Sequence, residues 1–322
     1  RYTWYPDYPV DEKVDVQAFR SLDELSFRPD IVHIHAFWSM DMVRAMAWCR
    51  KHGVPYVVSP HGGLMPRVFT KGRLKKWVFY HLFLHRNLRQ AKAIHCTGEA
   101  ESAAVAALGL APPRFVVPLG CHLPKWPIAR ISGEKKKILF LSRLSEEKGL
   151  ITLLDAWRQL KRESNNPNNR TIEQFSLILA GPDWRGYRSV LEAKIAAESI
   201  PDVVFTGKAD EKMKDELYRS ADLFVLPSPM ENFSMVVLDA LAYGLPVICT
   251  KGTPWKSIED SDCGWWIEPD SVEALQEALS QAIDMSQGNW LQRSKAARQL
   301  AEMFSWDRIA RTLVNAYEQQ SF

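Results

Sequence analysis

Hydrophobic positions along this chain fall into short apolar runs, separated by segments in which apolar residues recur at helical spacing. Runs of this length, bounded by glycine, proline or polar residues, are typical of buried parallel strands. Regular alternation of such strands with helices predicts an α/β protein. The predicted strands are 31–35, 55–59, 93–96, 114–119, 138–141, 175–180, 203–205, 223–226, 247–249 and 265–267.

One strand–helix–strand unit, residues 222–250, carries candidate chemistry. Its helix is predicted from about Ser234 to Tyr243, with Gly244 as the residue that ends it. The loop of this unit carries Glu231 and its helix carries Asp239. At the helical rise of about 1.5 Å per residue, eight positions separate these two carboxylates by about 12 Å.

The start of this helix lies between the two carboxylates. The amides of Phe233, Ser234 and Met235 should be free there and partly positive, as at other helix N-termini that bind anions. Polar groups at both ends with a phosphate site in the middle would suit a nucleotide-sugar. The alternative is a solvated helix start with an incidental acid on its face.

The letters of residues 231–247 resemble the E-x7-E signature of the retaining GT-B glycosyltransferases of family 4, the group 1 glycosyl transferases. Asp239 stands where the family has its second glutamate. The resemblance implies two Rossmann-like parallel-sheet domains with an interdomain cleft. It also implies that Glu231 binds sugar hydroxyls and that Asp239 holds the ribose of the nucleotide.

The 322-residue length allows two domains, and the 46% hydrophobic and 25% charged content is ordinary for a soluble protein. We expect an acceptor-side domain over 1–126 and a nucleotide-sugar domain over 127–304. Helix 305–322 resembles the family's terminal helix that crosses back. The family's first strand and glycine pair have no counterpart, so the N-terminal domain is expected to be incomplete. Five cysteines without a C-x-x-C fit a reduced, cytoplasmic compartment.

A histidine loop follows the predicted strand 55–59. The carboxyl ends of parallel strands present ligand-binding groups, so His61 is a candidate for contacting a substrate hydroxyl or leaving phosphate. Gly62 would let a ligand approach the backbone closely. A lone loop histidine is more often ordinary, but this loop resembles the family's histidine loop, and the resemblance favours function.

Two cations, Arg143 and Lys148, follow the strand 138–141 close to a helix start, where an anion between them would offset the unfavourable helix dipole. Two unrelated surface cations are the alternative. The segment is similar to the family's G-R-x-x-x-x-K-G diphosphate clamp, with Ser142 replacing the glycine. The clamp would stabilise the leaving diphosphate.

Two turns, after the strands 175–180 and 203–205, correspond to those that hold the nucleobase through backbone groups in the family. They contain Gly181, Gly207 and Lys208. Asp210, an acid near them, is predicted to cap the next helix rather than to bind a guanine amine. We therefore expect a UDP-sugar ahead of GDP-mannose. UDP-glucose is favoured over other UDP-hexoses through the family resemblance, and galactose or an N-acetylated sugar stays open.

Charge is uneven: residues 1–125 hold 17 basic and 10 acidic side chains, the remainder 24 and 28. Residues 67–98 hold eight basic residues and no acid, and 73–90 predict a basic, aromatic helix. Its stripe of Leu74, Trp77, Val78, His81 and Leu82 either packs on the sheet or attaches to anionic lipid headgroups.

No dinucleotide, P-loop or G-x-S-x-G motif is present in the sequence, and the D-x-D at 260–262 is predicted to lie on the surface. No metal site and no nucleic-acid partner are expected. We predict retaining, metal-independent transfer of a hexose, glucose favoured, from a UDP-sugar to a hydroxyl of a glycan or lipid-linked acceptor in polysaccharide synthesis. The alternatives are a sugar-nucleotide epimerase and a non-catalytic nucleotide-sugar-binding protein.

Overall fold

The computed structural model describes residues 22–36, 38–70, 72–163 and 171–319. The predicted helix 305–322 therefore extends past the described residues, and so does the start of the predicted first domain. The chain divides into two compact units. The first contains the residues up to His95 together with Ala104–Phe115; the second contains Cys96–Ala103 and Val116–Gln319.

The first unit is built on a four-stranded sheet in the order β1-β2-β3-β4. Pairing of β1 with β2 and of β2 with β3 is parallel, as predicted. Every residue of β2 and β3 is buried, including the polar Ser59 and His95, and the other residues of these strands are apolar or aromatic. The strands are β1 Val32–His35, β2 Tyr56–Ser59, β3 Ala93–Cys96 and β4 Arg114–Val116.

Local sequence signals set the helix ends of this unit. In α1, Met40–His52, the Ser39 hydroxyl accepts a hydrogen bond from the amide of Met42 at 3.4 Å. Gly53 ends the helix in the left-handed conformation, which glycine adopts without strain. A second helix, α4, spans Glu99–Ala107.

The basic, aromatic segment forms α2 Arg73–Phe79, one π-helical turn Tyr80–Leu84, and α3 His85–Arg89. The alternative that its stripe packs on the sheet is wrong. Leu74, Trp77 and Leu82 are 75%, 58% and 68% exposed, while Tyr80, Leu84 and Leu88 are buried instead. The buried set recurs every fourth residue, so the predicted stripe lies on the outward face. No helix in the described residues has the length and apolar content of a membrane span.

The second unit contains a six-stranded sheet in the order β10-β9-β8-β5-β6-β7, and all of its pairings are parallel. The strands are β5 Lys136–Leu141, β6 Phe175–Ala180, β7 Val203–Gly207, β8 Leu223–Leu226, β9 Val247–Thr250 and β10 Gly264–Ile267. The strand order reverses between β8 and β5. Open parallel sheets bind ligands at such a switch point, beyond the carboxyl ends of the strands.

Helices alternate with these strands, as the sequence predicts. The last helix belongs to the second unit; whether it crosses back to the other domain stays a prediction. The helices are α5 Leu150–Glu163, α6 Tyr187–Glu198, α7 Glu211–Ser220, α8 Met235–Ala242, α9 Ser257–Asp260, α10 Val272–Ile283, α11 Gln287–Glu302 and α12 Trp306–Gln319.

The D-x-D segment lies on the surface, as predicted. Residues 260–262 are exposed, and Asp260 closes the short helix α9. Asp262 pairs with Arg293 at 2.7 Å. A carboxylate held in a surface ion pair outside the carboxyl ends of the strands is not placed like a metal ligand for a reaction at the switch point.

Candidate functional site

Two loops meet at the switch point of the second sheet, residues 142–149 after β5 and 227–234 after β8. Gly149 has a left-handed backbone, and a Cβ there would come within 2.3 Å of the Pro227 carbonyl oxygen. Only glycine therefore lets the loops approach this closely. The buried Ser228 hydroxyl donates to the Glu147 carbonyl at 3.1 Å and joins the same loops.

Lys148 and Glu231, both predicted site residues, form an ion pair between these loops. The Lys148 Nζ lies 2.5 Å from the Glu231 Oε1, and the two side chains are only 12% and 13% exposed. The Glu231 amide donates to the Gly252 carbonyl at 2.8 Å. A Cβ at Gly252 would come within 1.9 Å of the Pro229 carbonyl oxygen, so this loop is fixed from its other side as well.

Arg143 does not converge with Lys148 on one partner. Its guanidinium lies 4.9 Å from the ring centroid of Trp184 and 3.7 Å from a carboxylate oxygen of Glu147. The Arg143 side chain is 46% exposed, so it can still reach a ligand. Trp184 was missed by the sequence analysis; the available signal was a large aromatic residue directly after the turn that ends β6.

The amides of residues 233–235 lie at the start of α8, where they were predicted to be free. Helix α8 begins at Met235, and no partner is found among the described residues for the amides of 233–235. Ser234 adopts a left-handed φ of 69°, and its buried hydroxyl has no hydrogen-bond partner in the described part of the chain. An unpaired buried hydroxyl beside free amides marks a place that a ligand oxygen can satisfy.

The 12 Å separation inferred for the two carboxylates rests on a wrong premise. Glu231 lies in the loop, as predicted, four residues before α8, so helical rise does not relate it to Asp239. The turn of the chain at Ser234 separates the two residues instead. Both flank the helix start, as predicted, but from different elements.

Asp239 lies in the second turn of α8 and is largely desolvated. Burial raises the pKa of its carboxyl from 3.8 to about 6; Glu211 on α7 also raises it, and Lys214 opposes the shift. A raised carboxyl pKa means that the folded protein binds the proton more tightly. The resulting stabilisation is present below about pH 4 and is lost as the pH rises through 6.

The two predicted nucleobase turns are adjacent. The Gly181 amide donates to the Gly207 carbonyl at 2.8 Å. A Cβ at Gly181 would overlap the Ser142 carbonyl oxygen at 1.8 Å, so this position needs glycine. Lys208 is exposed beside them. Asp210 caps α7 as predicted, accepting from the Met213 amide at 2.8 Å.

In the first unit, His61 belongs to a cluster of four histidines at the carboxyl ends of β1–β3. A hydrogen bond of 2.8 Å joins the His61 Nε2 to the His35 Nδ1. The His33 ring stacks on that of His35 at 4.3 Å between centroids. The buried Ser59 hydroxyl joins His33 at 2.6 Å to His95 at 2.7 Å.

Two histidines of this cluster, His33 and His35, have lowered pKa values. Burial and the neighbouring imidazoles lower the pKa of His33 to about 3, and desolvation with the field of His61 lowers that of His35 to about 4. No group of three histidine, cysteine or acidic side chains in the described residues is arranged to hold a metal ion. His33, His35 and His95 were missed; the available signal was the alternation of His33 and His35 at a strand end.

Two parallel-sheet α/β domains, one with a candidate ligand site at its switch point, match the GT-B fold. A solved structure of Anabaena HepE in complex with UDP and glucose has this fold, with a TM-score of 0.69 and 20% identity, covering 90% of this chain and 78% of that one. The chain belongs to the group 1 glycosyl transferases, whose family model matches residues 126–301. A glycosyl transferase 4-like domain matches residues 3–120.

Two curated relatives show how far the similarity extends. The uncharacterized glycosyltransferase MJ1607 of Methanocaldococcus jannaschii is 29% identical over 58% of this chain, and the match spans 46% of that relative's length. The GDP-mannose:cellobiosyl-diphosphopolyprenol alpha-mannosyltransferase of Xanthomonas oryzae is 25% identical over 96% of this chain and 77% of the relative.

Proposed function

We propose that the chain transfers a hexosyl group, glucose favoured, from a UDP-sugar to a hydroxyl of a glycan or lipid-linked acceptor in polysaccharide synthesis, with retention and without a metal. The observation that carries this proposal is the buried pair of Lys148 and Glu231 beside the unpaired amides at the start of α8. Group 1 membership and the HepE complex with UDP and glucose support it.

Negative charge would develop on the leaving diphosphate as the bond from the anomeric carbon to its phosphate oxygen breaks. Arg143, Lys148 and the amides of 233–235 would stabilise that charge, since preorganised positive groups usually contribute most of the rate enhancement in such reactions. The acceptor oxygen forms the new bond on the same face, and its proton passes to the leaving phosphate. No protein nucleophile is assigned.

Roles for the remaining groups follow the family resemblance. Glu231 would accept hydrogen bonds from sugar hydroxyls, and His61 would contact the sugar. Asp239 would hold the ribose. Gly62, Gly181, Gly207 and Lys208 would line the donor site chiefly through their backbones.

The choice of UDP rests on the nucleobase turns. Backbone N–H groups of these turns would donate to the uracil carbonyls and a backbone carbonyl would accept from its imide N–H, whereas a guanine needs an acceptor for its exocyclic amine. Asp210, the nearby acid, already accepts from the Met213 amide in capping α7. GDP-mannose remains the competing donor because the name of one relative includes it as the donor.

We also propose that the protein is peripheral at the cytoplasmic face of a membrane, through α2 and the π-helical turn. Leu74, Trp77 and Leu82 are exposed there, beside a cavity of about 500 Å³ that Trp77 and Tyr80 help to line. Exposed apolar side chains surrounded by cations suit an anionic lipid surface. Within 67–98, Lys71 and the side chain of Arg67 lie outside the described residues.

A donor screen with released nucleotide as its readout tests the proposed reaction. UDP-glucose should release nucleotide faster than UDP-galactose, UDP-N-acetylglucosamine or GDP-mannose, and EDTA should not stop the release. GDP-mannose turning over fastest, or loss of activity in EDTA, would contradict the proposal. Formation of a new nucleotide-sugar from donor alone would identify an epimerase, and binding without turnover a sensor.

We expect Arg143→Ala and Lys148→Ala each to lower turnover at saturating donor by at least about tenfold, roughly 1.4 kcal/mol in the barrier. Both side chains would act most strongly as the diphosphate departs. Lys212→Ala, which removes an exposed lysine on α7, is the control. Thermal unfolding of Lys148→Ala must be measured in parallel, since that change leaves Glu231 buried without its cation. Near-normal turnover in both variants would refute the clamp.

When the pH is lowered from 7.5 to 5, the wild type should lose UDP affinity. The loss should be about tenfold larger than the loss that Asp239→Asn shows over the same range. With a pKa of about 6, Asp239 is mainly ionised at the higher pH and mainly protonated at the lower, where it loses its full charge as an acceptor for ribose hydroxyls. Calorimetric titration measures the affinities. The Asp239→Asn variant is the control for titration of the UDP phosphate. Equal pH profiles of UDP affinity in the two proteins would show that Asp239 does not reach the ribose.

Vesicle sedimentation tests the membrane surface. Binding to vesicles containing phosphatidylglycerol should exceed binding to phosphatidylcholine vesicles and should weaken with salt. Arg73→Gln and Lys75→Gln should each lower affinity by about fivefold, because a basic residue near an anionic surface contributes about 1 kcal/mol. Lys212→Gln in the second unit is the control. Equal binding to vesicles with and without phosphatidylglycerol would contradict the proposed membrane surface.

A further inference from the structure

The histidine loop of the first unit is held by more than its own turn. His61 has a left-handed φ of 48°, unusual for a side chain with a Cβ, and Gly62 follows with a φ of 78°. The Trp38 indole donates to the Gly63 carbonyl at 2.9 Å and braces the loop from the segment after β1. A backbone held in this conformation limits the directions in which the His61 ring can point.

The His61 ring points toward His35. His33 and His35 are two residues apart on β1, so their rings lie on one face of the sheet, while Ile34 between them is buried in the core. Parallel pairing sets His35 opposite Ser59, the last residue of β2. This register carries the His35 ring to the loop that begins immediately after β2.

The contact between the rings is specific. The His35 Nδ1 and the His61 Nε2 are 2.8 Å apart, and the ring planes differ by only 14°. In a pair of neutral imidazoles one nitrogen donates and the other accepts, so the bond selects one tautomer of His61 for each tautomer of His35.

His35 is itself constrained. The stacked ring of His33, 4.3 Å away, limits its rotation. Desolvation and the field of His61 lower the pKa of His35 to about 4, so it stays neutral near pH 7. His33 in turn is fixed through Ser59 to His95, which is 3% exposed. The chain of contacts runs from the buried core to the loop.

We infer that His35 is a positioning residue that fixes the orientation of His61 for its contact with the donor sugar and couples the tautomer of His61 to its own. This inference rests on the proposed role of His61. It extends that role to a residue that would not touch substrate, in the way that an outer hydrogen-bond partner orients a ligating histidine.

Asparagine and leucine at position 35 form a matched pair for the test, since they have similar shapes and only asparagine keeps a polar atom near the place of Nδ1. With UDP-glucose as the probe, His35→Leu should lower turnover about tenfold and His35→Asn less than threefold. Affinity for UDP, which lacks the sugar, should stay unchanged in both. His52→Leu removes another imidazole of this unit, one bonded to the Trp48 carbonyl, and should turn over normally.

The reference variant is His61→Ala. If it keeps full turnover, the proposed role of His61 fails and the inference falls with it. If it loses turnover while His35→Leu does not, or if His35→Asn is as slow as His35→Leu, only the positioning role is overturned. Should His35→Leu not fold, His35→Gln replaces it, because its amide reaches the place of Nε2 and cannot restore the bond to His61.

Discussion

The buried pair of Lys148 and Glu231 joins loops that leave the six-stranded sheet at its switch point. Removing two charges from water costs several kcal/mol per ion, and their attraction offsets this only with good geometry. At 2.5 Å and with side chains 12% and 13% exposed, the pair has that geometry. Gly149 and Gly252 are the positions where a Cβ would push the loops apart. The backbone around the site is therefore shaped by the need to bring these two charges together.

The pair also determines where positive charge remains for a ligand. Lys148 is paired with Glu231, so under the proposed function the amides of 233–235 and the half-exposed Arg143, which lies 3.7 Å from a Glu147 carboxylate oxygen, would attract the diphosphate first. Under the proposed function, a bound donor would divide the pair: sugar hydroxyls donate to Glu231 as phosphate oxygens accept from Lys148. Breaking one partner leaves the other charge buried, so donor binding should engage both groups together rather than in turn.

The sequence was most informative where one local interaction decides the structure. Asp210 caps α7, and apolar runs such as 138–141 and 223–226 form buried strands. It failed where the outcome depends on distant packing. The stripe on 73–90 was ambiguous because a π-helical turn at Tyr80–Leu84 changes which side chains face inward. The distance from Glu231 to Asp239 was inferred from helical rise, but the helix begins only after the left-handed Ser234, which follows Glu231. The contact between His35 and His61 depends on strand register, which no local pattern encodes.

Asp239 shows how one shorter side chain changes the chemistry expected of a site. The family resemblance puts a glutamate here, whose extra methylene would carry the carboxylate farther from the helix. Aspartate instead keeps the charge close to α8, facing Glu211 and Lys214 of α7, and burial raises its pKa to about 6. A ribose that donates hydroxyl hydrogens to this position would stabilise the ionised form and lower that pKa again. By linkage, nucleotide binding and deprotonation of Asp239 then favour each other, so the substitution would make the donor site sensitive to pH in a range where a glutamate with an ordinary pKa would already be ionised.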